Sequence, residues 1–138
     1  MIDFSYQTEF ELKDSEQVAR WIGGIIASEG FEEGDISYIF CDDDYVYSLN
    51  KEFLEHDTLT DIISFDYSLG KQIHGEIYIS VDRVAENAEN FKTEFIDELH
   101  RVIIHGILHL CKYKDKTQSE IDMMRLMEDQ ALEKRLFV

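Results

Sequence analysis

TEFIDELHRVIIHGILHLCKYKD, residues 93–115, decides how the rest of this sequence is read. Phe95, Leu99, Val102, Ile103, Ile107 and Leu110 recur three or four positions apart, the repeat of an apolar helix face. So much of that surface is apolar that a helix over 93–111 is expected to cross the core. His105 and His109 interrupt the pattern. Residues four apart on a helix point about 40° apart, one turn up, so their imidazoles can converge on one ion. That is the geometric reason H-x-x-x-H recurs in zinc sites on helices. Taken alone, the pair is equally what two hydrogen-bonded core histidines look like. Asp115 comes six residues after His109, past the expected end of the helix. If the chain turns back there, its carboxylate arrives on the open side of the pair as a third ligand. Lys112, Lys114 and Lys116 around it supply the competing reading, a surface ion pair.

Other candidates fit less well. Cys111 lies about 200° round the helix from His109, and His100 about 140° off the His105 direction. His56 and His74 fall in or near loops and read as ordinary histidines. Position 106 is Gly, so the general base of the zinc peptidases (H-E-x-x-H) is missing. The P-C-x-x-C element of zinc nucleotide deaminases is missing too.

Around this helix the chain reads as one α+β domain over 1–138, with about four strands in a mixed sheet and about five helices. Residues 2–6, 35–41, 61–67 and 75–81 look like strands, with the turn between the last two in SLGKQIH; residues 8–12 alternate in the same way and are a further candidate. Asp14 or Ser15 can cap a helix that runs to about Glu29 and stops at Gly30. Asp42, Asp43 and Asp44 suit the N-terminus of a short helix and its dipole. Helices are expected over 82–92 and 118–135 as well.

The chain has 138 residues and a net charge of −17. Such acidity repels polyanions at long range, so a nucleic-acid function has to work through a local basic patch or a bound metal. Cys41 and Cys111 make no C-x-x-C or zinc-knuckle spacing, and no disulfide is expected between them. The early acidic N-terminus is unlike a signal peptide, and no run reaches the roughly 20 apolar residues of a membrane span. The expectation is a cytoplasmic monomer with no membrane association.

Three blocks together resemble the YbeY family of metal-dependent endoribonucleases and ribosomal RNA maturation factors. The family's H-G-x-L-H-L-x-G-Y-D-H aligns with His105-Gly106-Ile107-Leu108-His109-Leu110-Cys111-Lys112-Tyr113-Lys114-Asp115. Its L-N-x-x-[YF]-R-x-x-D-x-P-T-[DN]-[VI]-L-S-F aligns with residues 49–65, LNKEFLEHDTLTDIISF, and its G-[DE]-I-x-I-S with residues 75–80, GEIYIS. Order and spacing agree over roughly 35–135. Four of the departures from the pattern matter. Asp115 stands for the third histidine, Lys112 for a glycine, Leu54 for an arginine and Leu59 for a proline.

The resemblance implies a zincin-like metal helix with one zinc, or another divalent ion, per chain on His105, His109 and Asp115. It implies hydrolytic cleavage of single-stranded RNA, with the small ribosomal subunit as partner in rRNA maturation and ribosome quality control. With Asp115 as ligand the site carries formal charge +1, against +2 for three histidines, which makes the ion a weaker Lewis acid and favours harder ions such as manganese. Two histidines and a carboxylate still form catalytic zinc sites. Phosphate contacts are expected from Lys112, Lys114 and Lys116, with Lys51 and Arg101 behind them, and Asp61 is a candidate to orient a ligand histidine. The alternative is a non-catalytic ribosome-assembly or interaction module with a structural metal. Leu54 favours it, because a guanidinium is the natural phosphate clamp.

Overall fold

The computed structural model describes residues 1–55 and 59–138; His56, with Asp57 and Thr58, lies outside the described residues. The order of elements is β1 (Ile2–Tyr6), α1 (Ser15–Ser28), β2 (Glu32–Cys41), α2 (Asp43–Phe53), β3 (Ile62–Asp66), β4 (Gln72–Ser80), α3 (Val81–Phe91), α4 (Phe95–Leu110) and α5 (Gln118–Glu133). The strands form one mixed sheet in the order β1-β2-β4-β3. β1 and β4 run parallel to β2, while β3 runs antiparallel to β4 and forms an edge.

Side chains alternate along a strand, and β2 uses both faces. Ile36, Tyr38 and Phe40 join Ile77 and Ile79 in the main core beneath the helices. Ile39 and Cys41 face the other way and meet Ile63, Val46 and Leu49 under α2. Covering both faces is what a largely parallel sheet requires. Helix α4 is the centre of the larger core, with Leu99, Val102, Ile103, Ile104, Ile107, Leu108 and Leu110 all buried. Its apolar surface extends almost all the way round because the sheet, α1, α3 and α5 all touch it. Two buried polar groups pin this arrangement. The Tyr38 hydroxyl donates to the Ile103 carbonyl at 2.9 Å, and the Trp21 indole N–H donates to the Ala131 carbonyl at 2.9 Å.

Most of the expected elements are present, with shifted ends. Residues 8–12 are not a strand. Tyr6 and Phe10 instead stack beside Phe40, and Leu12 drops into the core, so the alternation there reflects a loop that folds over the sheet edge. β2 starts at Glu32, earlier than residue 35, and carries a register shift between Glu33 and Ile36. β4 takes up residues 72–74, which the sequence assigns to the turn. Asp42 caps α2 by accepting from the Tyr45 N–H at 2.8 Å. Asp14 precedes α1 in a left-handed conformation (φ 58°) and its side chain makes no cap. Cys41 and Cys111 are both buried free thiols.

Candidate metal centre

Helix α4 carries His105 and His109 one turn apart, and its C-terminus turns the chain back over them. The Lys112 N–H bonds the His109 carbonyl and the Tyr113 N–H bonds the Leu108 carbonyl, both at 3.0 Å. These two bonds make a Schellman cap. Its left-handed position is Lys112, at φ 79°, where the family pattern has glycine. The Tyr113 hydroxyl then anchors the returning chain on Glu29 Oε1 at 2.6 Å. Asp115 arrives as a result on the open side of the histidine pair. Gly106 lets α4 lie close on the sheet, since a Cβ there would sit 3.0 Å from Ile62 Cδ1 and 3.2 Å from Ile77.

The ligand atoms converge. His109 Nε2 is 3.0 Å from His105 Nε2 and 3.1 Å from Asp115 Oδ2, and His105 Nε2 is 3.4 Å from the same oxygen. The outer nitrogens decide what these atoms can be. His105 Nδ1 lies 2.7 Å from Glu128 Oε2, and His109 Nδ1 lies 3.0 Å from the Tyr113 carbonyl oxygen. A carbonyl and a carboxylate oxygen only accept, so both Nδ1 atoms carry the hydrogen. In the neutral rings both Nε2 atoms are then bare lone pairs facing each other and a carboxylate oxygen. Three acceptors with no donor repel one another unless a cation or a proton sits between them. Burial works to lower the His105 pKa. The hydrogen bond and charge of Glu128, with the charges of Asp115 and Asp61, outweigh it and hold the pKa above its ordinary value.

The residue that orients His105 is Glu128, which the sequence reading did not single out. The signal was present, because Met124, Glu128 and Ala131 form the buried face of α5 and a carboxylate on such a face calls for a partner. A full capping box at Thr117 and Glu120 starts α5 and fixes its register. Arg101 donates to Glu128 Oε1 at 2.9 Å and to Asp129 Oδ1 at 2.6 Å, so its guanidinium is already engaged inside the protein. Asp61 makes no hydrogen bond to either histidine. It accepts from Asn87 at 3.3 Å, and burial, the largest influence, raises its pKa.

Two cavities flank the histidines. One, of about 590 Å³, runs along the edge strand β3 and is lined by Leu54, Ser64, Asp66, His105, His109, Asp115 and Lys116 among others. The other, of about 450 Å³, lies between α3, α4 and α5. Both include Asp61, Ile62, His105 and Asp115. Of the three expected phosphate lysines, Lys116 lines the first cavity. Lys112 pairs with Asp66 at 3.4 Å, and Lys114 is exposed beyond it. Lys51 is exposed on α2. Leu54, in the place of the family's arginine, sits at the cavity wall and is 41% exposed, so no guanidinium reaches the cavity from that position.

A family profile described as Endoribonuclease YbeY matches residues 3–135. A protein of Flavobacterium psychrophilum named Endoribonuclease YbeY is 53% identical over 132 residues, which cover 96% of this chain and 94% of that one. One of the same name from Christiangramia forsetii is 51% identical over 131 residues, covering 95% and 92%. Among solved structures, the solution structure of TM1509 from Thermotoga maritima superposes with a TM-score of 0.66. It is 26% identical and covers 97% of this chain and 91% of that one.

Proposed function

The chain belongs to the endoribonuclease YbeY family, and on that premise we propose that it is a metal-dependent endoribonuclease that hydrolyses single-stranded RNA. The observation that carries this reading is the convergence of His105 Nε2, His109 Nε2 and Asp115 Oδ2, with both Nδ1 atoms committed as donors. Imidazole nitrogens and one carboxylate oxygen suit zinc, one ion per chain. Bound there, a divalent ion supplies a Lewis acid that polarises a phosphoryl oxygen and acidifies a water. The protein's part is to hold and orient. Glu128 fixes the tautomer and plane of His105, the Tyr113 carbonyl does the same for His109, and Asp115 lowers the formal charge of the site by one.

Substrate reaches the centre along the β3 cavity, where Lys116 offers a cation to the RNA backbone, with Lys112 and Lys114 on the outer rim. The cavity wall at Leu54 gives no clamp, so the phosphate leans on the centre and on Lys116. The RNA acted on is rRNA of the small ribosomal subunit during its maturation, and the protein works as a cytoplasmic monomer. No helix of the described residues is long and apolar enough to cross a membrane.

The test is metal content by plasma mass spectrometry together with cleavage of a single-stranded RNA, on the parent protein, His109→Ala and Asp115→Ala. About one zinc per chain and cleavage in the parent, both lost in His109→Ala, is the expected result. Metal without cleavage would favour the assembly module with a structural ion, the role to which Leu54 and the charge of −17 are better suited. No metal after zinc addition would sink the metalloenzyme reading.

A further inference from the structure

We infer that the cavity between α3, α4 and α5 is a base subsite, which takes a guanine of the RNA strand beside the cut and holds its Watson–Crick edge on Glu98. The inference rests on the RNA-cleaving reading above and names the chemistry of the neighbouring position. Glu98, Arg101, Val102 and His105 follow one another along one face of α4, at spacings of three, four and seven. Glu98 therefore stands two turns, about 10 Å, up the axis from His105. That is the distance of an adjacent nucleotide when the scissile phosphate is at the histidines. The cavity adjoins that site, since His105, Asp115, Asp61 and Ile62 line both cavities. Its volume of about 450 Å³ is within the roughly 300–1,000 Å³ of small-ligand pockets.

Glu98 is the unusual group in it. Its residue is 6% exposed, it lines the cavity, and among the described residues its carboxylate receives no hydrogen bond. Arg101, the nearest cation on its own helix, spends its donors on Glu128 and Asp129. Burial first, and the charge of Asp61 next, push the Glu98 pKa up. The Glu98 oxygens therefore open into the cavity with no donor from the described residues on them, and a ligand that brings donors matches them. Among the four bases only guanine carries two neighbouring donors, N1–H and the 2-amino group, on its Watson–Crick edge, the spacing of a carboxylate's two oxygens. The rest of the cavity suits a base plane. Phe91 at the end of α3 is 60% exposed and Ile121 at the start of α5 is 44% exposed; both line the cavity. Unpaired RNA bases are commonly read in this way, stacked on an aromatic ring and hydrogen-bonded along one edge. Arg125, 62% exposed on the same rim and 3.9 Å from Glu128 Oε1, turns its exposed guanidinium toward solvent, where a nucleotide's phosphate can meet it.

The test uses the metal-loaded protein and fluorescent ten-nucleotide uridine strands that carry a single central guanosine, inosine or no purine. Inosine keeps N1–H and lacks only the 2-amino group. Binding is read by anisotropy on ice and cutting by mapping the product ends. The expected result is guanosine binding at least tenfold tighter than inosine, with cuts gathered at one fixed distance from the guanosine. Glu98→Gln, which replaces one acceptor oxygen by a donor, is expected to bring the two strands within twofold of each other. Guanosine and inosine strands that bind alike to the parent protein would overturn the subsite, as would a Glu98→Gln protein that keeps the full preference. Should Glu98→Gln fail to fold by circular dichroism, the inosine comparison on the unaltered protein decides alone. The two readings fail separately. Cutting without base preference removes the subsite and leaves the nuclease, whereas guanine-selective binding without cutting does the reverse.

Discussion

His105 Nδ1 donates to Glu128 Oε2 across 2.7 Å, from the middle of α4 to a buried position on α5, 23 residues later in the chain. This contact fixes which nitrogen of His105 faces the candidate metal. Glu128→Gln keeps the shape and one acceptor but removes the charge that opposes the desolvation of His105. Loss of a carboxylate behind a ligand histidine typically weakens metal binding by about 10–100-fold. That weakening is the expected outcome, read by titration against a chelator of known affinity. Unchanged affinity would show that His105 is oriented by its packing alone.

Asp115 stands where the family pattern has histidine, and its oxygen lies 3.1 Å from His109 Nε2. Asp115→Ala is expected to lose the ion during dialysis against a mild chelator. Asp115→His is expected to keep one ion per chain, at formal charge +2, and to cut RNA with a pH optimum lower than the parent's, because a more electrophilic site acidifies its water further. Metal content and the pH profile of cleavage check both variants. Retention of metal by Asp115→Ala would reduce Asp115 to an ion-pair partner.

The sequence made helix α4 and the candidate ligands on it legible because they are local. His105, His109 and Asp115 lie within eleven consecutive residues, and the helical repeat with a turn at its end suffices to bring them together. The left-handed turn at Lys112 was readable in the same way, because the family pattern has a glycine there and this chain does not. Glu128 was not, because its partner comes from a separate helix whose approach is set by packing. The same reason hid the engagement of Arg101, which reads as a free cation until α5 lies against α4. Residues 8–12 failed differently. Two-residue alternation in FEL and its neighbours fits a strand, but only a ladder partner makes one, and here Leu12 is drawn into the core and Phe10 packs against it instead of the segment pairing along the edge strand β1.

His100 shows how the core, apart from the site, should respond to pH. It is 1% exposed and receives a hydrogen bond on Nδ1 from Arg135 at 2.9 Å. Burial, and then the Arg135 charge, lower its pKa to about 4. The unfolded chain, with a histidine near 6.5, binds more protons between those values. His100 therefore contributes stability that is full above about pH 6.5 and is lost as the pH falls through 4. Asp61 and Glu98, with raised pKa values, act in the opposite sense, so the histidine has to be isolated by difference. In urea unfolding of metal-free protein, the parent should lose about 2 kcal/mol more than His100→Gln between pH 7 and pH 5. Equal losses would mean that His100 takes up its proton without disturbing the fold.

Lys112 holds a left-handed φ of 79° so that Tyr113 and Asp115 can return over the histidines. For a residue with a Cβ that conformation costs about 1–2 kcal/mol, and glycine is free of it at the price of about 0.5–1 kcal/mol in chain entropy. Lys112 is also paired with Asp66 at 3.4 Å, with 59% and 41% of the two side chains exposed, so the pair adds little. Lys112→Gly should therefore stabilise the protein slightly, and Lys112→Ala, which loses the same ion pair but keeps the strain, should not. The comparison that matters is between the two variants. Glycine should exceed alanine by about 1 kcal/mol, roughly 2–4 °C in Tm for a chain of this size, in thermal unfolding followed by circular dichroism. If alanine matched glycine, the turn would be held by the Schellman bonds and the Tyr113–Glu29 anchor with no strain at position 112.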